Sequence, residues 1–339
     1  MSVPKRIDLM SQLPRDLQYA IEEELNSFSL TKMVRGREHL TERYRQKTSF
    51  TGNFISTEEQ RYAYIATRLP ATYGVMKHLF QEIERSVSKE EIQTLLDLGA
   101  GPGSVMWAAD TVFSGINKIF LLEKDSALSE WGKRLGKYSS SPAISAAQWE
   151  LCDFTQKITL PQCDLVVFSY SVGELPATVL LPTVKRAWEA CHKFLVIVEP
   201  GTPTHFERVR LIRKYLIEEG AHMVAPCPHT RECPMSHGNW CHFYTRIERS
   251  FLHKRIKEGA LGHEDEKFSY LIFSKIPHLL SKPRVLSFPL KRSGHVELTL
   301  CGKEGLVRKT ISKKTPEAYR QARKLEWGDL YEDSISNKP

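Results

Sequence analysis

The sequence has no apolar run approaching the roughly 18–20 residues that cross a bilayer, so no segment reads as a membrane-spanning helix. It has no internal repeat and no low-complexity tract, which leaves neither a solenoid nor a disordered tail to account for. Its cysteines number seven, an odd count that does not suggest a disulfide framework. Residues Met1–Asp8 lack the apolar stretch of a secretory leader. Asp8, Asp16 and Glu22–Glu24 make the same region too acidic for a transit peptide. These absences give the expectation of a cytoplasmic protein, monomeric when free.

What is present is an ordinary globular composition, 41% hydrophobic and 26% charged, over 339 residues. That length allows two compact units or one core with extensions. The formal net charge is +8 and is unevenly spread. Lys303, Arg308, Lys309, Lys313, Lys314, Arg320, Arg323 and Lys324 crowd the C-terminal stretch, opposed by Glu304 and Glu317. Lys254, Arg255 and Lys257 form a second run. A single run of this kind reads first as a solvated face; two of them favour a polyanionic partner.

The first 90 residues read as helical, with apolar spacing at Pro14–Phe28 and Lys32–Arg45. Ser56–Glu59 fits a capping box opening a further helix, and Pro70 is expected to kink it. Another helix is expected from Tyr73 to about Val87. From Ile92 short apolar strands alternate with helices: Thr94–Leu98, Lys118–Leu122, Leu165–Ser169 and Phe194–Val198, with helices at Pro182–His192 and Thr204–Glu219. This alternation marks a doubly wound α/β sheet. Phe268–Ser274 resumes a strand. Arg284–Leu290, His295–Leu300 and Leu306–Ser312 read as an antiparallel meander, followed by a basic helix at Pro316–Trp327. The expected division is a helical region at 1–90, a Rossmann-like core at 91–220, a cysteine-rich insertion at 221–267 and the last strands, meander and helix at 268–339.

A glycine loop, Gly99-Ala100-Gly101-Pro102-Gly103, follows the first core strand and opens a helix. Glycine there permits a tight turn and lets a ligand approach a helix N-terminus. The spacing is G-x-G-x-G, not the G-x-G-x-x-G of dinucleotide dehydrogenases, so a nicotinamide site is disfavoured. Asp97 precedes the loop, and Glu123 closes the next strand, where a carboxylate accepts both ribose hydroxyls. Asp153 and Phe154 follow the third strand and suit the amine and ring face of adenine. Asp97, Gly99, Ala100, Gly101, Gly103, Glu123, Asp153 and Phe154 together look like the S-adenosylmethionine site of class I methyltransferases.

The acceptor side is less explicit. Many base-modifying methyltransferases carry an Asn/Asp-Pro-Pro-aromatic loop after the fourth strand; here Ser169-Tyr170-Ser171-Val172-Gly173-Glu174-Leu175 stands in that place. Cys152, Cys163 and Cys191 read as buried small hydrophobes, not nucleophiles. Tyr170 or Glu174 is placed to position an acceptor, and the catalytic residue is unknown.

The remaining signal is Cys227, Cys233 and Cys241 at spacing C-x5-C-x7-C, with proline beside two of them, and Cys301 downstream. Soft thiolates with His229, His237 or His242 suit zinc; wide, proline-flanked cysteines suit an iron–sulfur cluster equally. With Arg68–Tyr73, Leu96–Gly103, Val198–Pro203, the cysteine block and Tyr319–Asp329, the chain resembles the methyltransferase-like assembly factors of the small ribosomal subunit, found in mitochondria with bacterial relatives. The resemblance implies a [4Fe–4S] cluster on Cys227, Cys233, Cys241 and Cys301, an S-adenosylmethionine pocket in a class I methyltransferase (Rossmann-like) sheet, and binding to small-subunit rRNA. The leading expectation is an iron–sulfur, S-adenosylmethionine-binding protein that assists subunit assembly. The alternatives are an active S-adenosylmethionine-dependent rRNA methyltransferase and a zinc-binding protein or small-molecule methyltransferase.

Overall fold

The computed structural model describes residues 10–45, 55–85, 87–235, 238–278 and 282–332. The chain divides into two compact units: Met1–His192 with Thr245–Glu266, and Lys193–Tyr244 with Lys267–Pro339.

The first unit opens with β1 (Met10–Ser11), α1 (Arg15–Leu25), α2 (Leu30–Arg45), α3 (Glu58–Ala63) and α4 (Leu69–Glu84). Helix α1 forms because Leu17, Ala20, Ile21 and Leu25 recur at helical spacing and are all buried. The capping box is one residue later than expected: Thr57 accepts the Gln60 N–H, and Gln60 Oε1 accepts the Thr57 N–H, both at 3.3 Å. The irregularity expected at Pro70 falls earlier. A π-helical turn, Tyr64–Arg68, precedes α4, and Pro70 stands in the first turn of that helix. The helix is continuous through this point, with the Leu69 N–H donating to the Tyr64 carbonyl, and the wider π-helical turn stands just before the residue that lacks an N–H.

Four strands follow: β2 (Thr94–Leu98), β3 (Lys118–Glu123), β4 (Gln148–Leu151) and β5 (Cys163–Ser169). Between and after them lie α5 (Ser104–Val112), α6 (Ser126–Gly136), α7 (Pro142–Ser145) and α8 (Ala177–Ala190). The strands are parallel and ordered β4-β3-β2-β5. Strand β2 is buried from Leu95 through Leu98, as a central strand covered on both faces requires.

The remaining elements are β6 (Cys191–Pro200), α9 (Pro203–Glu218), β7 (His222–Ala225), β8 (Phe243–Glu248), α10 (Phe251–Lys257) and β9 (His263–Ser274). In the first unit β1 pairs with β8 in parallel through Arg246 and Ile247. In the second, β6 and β7 each pair antiparallel with β9, and β7 carries a bulge between Met223 and Ala225. A separate sheet holds β10 (Arg284–Val285), β11 (Leu290–Lys291), β12 (His295–Gly302) and β13 (Gly305–Ser312), followed by α11 (Pro316–Ala322). Val285, Val296, Leu298, Leu300 and Ile311 pack with Tyr319 and Tyr331 as its core. The strand expected over Arg284–Leu290 is broken into β10 and β11, and the terminal helix stops at Ala322, short of Trp327.

Parallel strands in the order β4-β3-β2-β5 alternating with helices, and an antiparallel trio β6-β9-β7, are the class I S-adenosylmethionine methyltransferase architecture, Rossmann-like, with N-terminal helices and a C-terminal β-sheet region.

Candidate cofactor site

The glycine loop joins β2 to α5. Gly99, Gly101 and Gly103 have φ of 84°, 53° and 83°, a region that disfavours any residue with a Cβ. Gly103 is the left-handed N-cap of α5. A Cβ on Gly99 would stand 2.7 Å from the Ser171 Cβ and 3.3 Å from the Phe154 ring. The loop is tied down by Gly99 and Ala100, whose N–H groups donate to the Leu122 carbonyl at 2.9 and 3.1 Å.

Glu123 is buried at the end of β3, and its two carboxylate oxygens accept the N–H groups of Gly101 at 2.7 Å and Asp125 at 2.8 Å. Each oxygen has a second lone pair, so a ligand hydroxyl can still be accepted. Burial raises the Glu123 pKa, against the two backbone bonds, which lower it. Asp97 is fully buried, and neither of its oxygens has a hydrogen-bond partner among the described residues. Burial, then the charge of Glu123, pushes its pKa well above the carboxylate range. An orphaned buried carboxyl beside a glycine-rich loop fits a polar ligand that completes its hydrogen bonding.

Asp153 accepts the Thr155 N–H at 2.9 Å and the Thr155 hydroxyl at 2.6 Å. Burial opposes ionisation of Asp153, and the Thr155 bonds outweigh it, so its pKa is lowered. Phe154 is buried and packs against Phe168 at 5.8 Å.

Three supports of this site were not read from the sequence. Ser171 donates its hydroxyl to the Leu98 carbonyl at 2.7 Å, binding the acceptor-side loop to the end of β2. Arg186, on α8, donates to the carbonyls of Phe154 at 2.8 Å and Thr155 at 3.0 Å, and also to that of Gln156. Arg68 forms a bidentate pair with Glu266 at 3.0 and 2.9 Å and lies 5.8 Å from the centroid of the Tyr170 ring. Tyr170 itself has φ of 58°. A serine and an arginine on a helix face carry no motif, so nothing in their spacing announces these bonds; Tyr170 was named from its place after the fourth strand, but not its left-handed backbone. A sulfonium-bound methyl group would give this arrangement one-carbon transfer chemistry; the residues described hold, orient and shield.

The cysteines lie in the second unit, where Cys227, Cys233, Cys241 and Cys301 line one cavity. The metal expectation is nevertheless overturned. Among the described residues, no group of three or more histidine, cysteine, aspartate or glutamate side chains stands where it could hold a metal ion. Neither the [4Fe–4S] cluster nor zinc on Cys227, Cys233, Cys241 and Cys301 is supported. The local chemistry favours the S–H form. Burial raises Cys233 and Cys241, and pushes Cys301 up to about 12, reinforced by the neighbouring thiols. Arg213 Nε donates to Cys227 Sγ at 3.3 Å, and Cys301 Sγ lies 3.7 Å from His229 Nε2. Burial lowers the pKa of both His229 and His242. His237 lies outside the described residues.

No helix among the described residues is long and apolar enough to cross a membrane. Among known proteins, the human mitochondrial ribosome assembly protein METTL17 is 29% identical over 84% of this chain and 65% of its own length. The mitochondrial Rsm22-cox11 tandem protein 2 of Schizosaccharomyces pombe is 25% identical over 81% of this chain and 43% of its own. The chain therefore spans less than two thirds of the curated relatives it matches. Magnesium protoporphyrin IX methyltransferase of Synechocystis PCC 6803 aligns at TM-score 0.42 and 10% identity, covering 77% of this chain and 100% of that one. The cytoplasmic expectation is corrected here as well, because these ribosome-related relatives are named as mitochondrial proteins. Acidic residues near the first position carry no information on compartment for a chain shorter than its relatives. The model of the mitochondrial small ribosomal subunit Rsm22 family matches residues 58–332, most of the sequence, and the chain belongs to that family.

Proposed function

We propose that this chain binds S-adenosylmethionine in its first unit and acts as an S-adenosylmethionine-dependent rRNA methyltransferase in assembly of the small ribosomal subunit. The iron–sulfur reading is withdrawn, since it rested on a metal centre that the donor geometry does not provide. The observation that carries the present reading is the glycine loop with Glu123: three left-handed glycines, a carboxylate anchored by Gly101 and Asp125, and the orphaned Asp97 beneath them. Asp97, Gly99, Ala100, Gly101, Gly103 and Glu123 hold the methionine and ribose portions, and Asp153 and Phe154 hold the adenine. The family and the relatives' names, which include ribosome assembly, support rRNA as the partner.

The test uses methyl-labelled S-adenosylmethionine and small subunits from cells lacking the protein. Label in the rRNA after sedimentation, absent with Glu123→Ala, is the expected result. Co-sedimentation without any transferred label across several subunit preparations contradicts methyl transfer.

A further inference from the structure

The second unit carries an aromatic array that the cofactor site does not use. Phe288 is 52% exposed although its ring is fixed from two sides. Its centroid lies 5.2 Å from Trp327, edge-on at 76°, and 5.2 Å from Tyr244, tilted at 47°. Tyr244 and Trp327 also touch, at 5.5 Å. Behind them His242 meets Trp327 edge-on at 4.7 Å and stacks on Trp240 at 5.0 Å and 16°. The array is anchored at both ends. Trp240 Nε1 donates to the Gly201 carbonyl at 2.9 Å, and Gly328, next to Trp327, donates its N–H to Val285 at 2.9 Å.

A lone exposed phenylalanine is common and needs no function. This one is immobilised by neighbours, and cations follow it in sequence, at and beyond the short strand β11. Arg292 follows Phe288 by four residues and is exposed, whereas the nearer Lys291 is paired with Glu326 at 2.8 Å. Around the turn that follows, Arg323 donates to the Arg292 carbonyl at 3.3 Å, and Lys313 donates its backbone N–H to Gly294 at 3.0 Å. Arg323 and Lys313 both lie within 6 Å of the Tyr319 ring, at 5.8 and 5.9 Å. The charge of the unit agrees. The second unit has 21 Lys and Arg against 12 Asp and Glu, a net +9; the first has 27 against 28, a net −1.

We infer that Phe288, backed by Trp327 and Tyr244, is a stacking platform for an unpaired base of RNA, with Arg292, Lys313 and Arg323 receiving the adjoining phosphates. A ring held in place offers its free face to a base without losing side-chain freedom on binding, and cations on the following turn take up the backbone charge. The inference rests on RNA being the partner, as proposed above, and adds where and in what form it is held. A duplex keeps its bases stacked on one another and does not use such a platform.

The test is fluorescence anisotropy with a short labelled oligouridylate and, separately, an RNA duplex, using the full chain without S-adenosylmethionine. Phe288→Ala weakens single-strand binding roughly tenfold, and Phe288→Trp restores it, in line with the loss of one base–aromatic stack. Phe288→Leu stays weak, because an aliphatic side chain gives apolar contact without a π face. Arg292→Gln lowers the slope of log affinity against log salt by about one. Wild-type binding that Phe288→Ala leaves unchanged, or that Phe288→Leu restores as well as Trp, overturns the platform alone. A wild-type chain that binds no RNA at low salt overturns the RNA reading and the platform with it.

Discussion

Glu123 is the residue on which the cofactor reading turns. Its carboxylate does two things at once: it fixes the glycine loop through Gly101 and caps the β3 end through Asp125. Glu123→Ala is therefore expected to weaken S-adenosylmethionine binding more than tenfold while the protein remains folded, since charge-assisted hydrogen bonds contribute about 1.5–3 kcal/mol each. Calorimetric titration of the variant checks it. Gly99→Ala is expected to lower unfolding free energy by about 1–3 kcal/mol. The new Cβ meets Ser171 at 2.7 Å, at a φ of 84° that side chains avoid; the denaturant midpoint should fall with an unchanged slope. These residues were legible in the sequence because the glycine spacing after a short buried strand, and an acidic residue ending the next, are the motif itself. Asp97 was legible by position, but not its lack of a partner. Ser171 and Arg186 were not legible, because each acts through one backbone carbonyl or a few, and any polar side chain of suitable reach writes the same letter.

At the level of elements, the core strand Thr94–Leu98 was readable to the residue, because a buried central strand is apolar throughout and ends at glycine. The meander was readable only in part. Its first strand breaks before Pro289, which cannot donate to a ladder, and Phe288 turns outward there. Cys227, Cys233, Cys241 and Cys301 line one cavity, yet spacing does not encode whether donors converge on a metal, and their burial favours thiols. Two predictions belong at this scale. Arg186 gathers carbonyls of Phe154, Thr155 and Gln156 from α8. Arg186→Ala should speed hydrogen exchange at 154–156 and weaken S-adenosylmethionine binding several-fold, and Arg186→Lys should restore little, since a single ammonium lacks the guanidinium fork.

The second concerns Glu264 on β9, within the first unit. It pairs with Lys257 at 2.5 Å, Arg249 at 3.1 Å and His253 at 3.4 Å, joining the strand to α10. Burial would raise its pKa, but the neighbouring His253 and the Lys257 charge hold it far below the usual range. A depressed carboxylate contributes stability that is present above its unfolded pKa, about 4.3, and is lost as pH falls below it. The melting temperature should therefore drop with acidification below that value, and Glu264→Gln should be less stable at neutral pH and flatter across the acid range.

For the whole molecule, the division of charge matters more than its total. On the proposed function, a net +9 on the second unit and −1 on the first would put the electrostatic contact with RNA on the former and the cofactor on the latter. RNA affinity should fall steeply with salt, while S-adenosylmethionine affinity should change little over the same range. Filter binding and calorimetry at matched ionic strengths separate the two. The basic runs were legible as letters, but Lys257 is engaged with buried Glu264, and Lys309 lies over Tyr331 at 5.0 Å, so the runs do not act as one uniform face.

The most direct measurement is calorimetric titration of S-adenosylmethionine into the wild-type chain and into Glu123→Ala, with melting curves to establish that both are folded. Saturable binding at one site in the wild type, weakened more than tenfold in the folded variant, is what the glycine loop and Glu123 predict. No binding to the wild type, or equal binding to both, would contradict the assignment of this loop as the cofactor site.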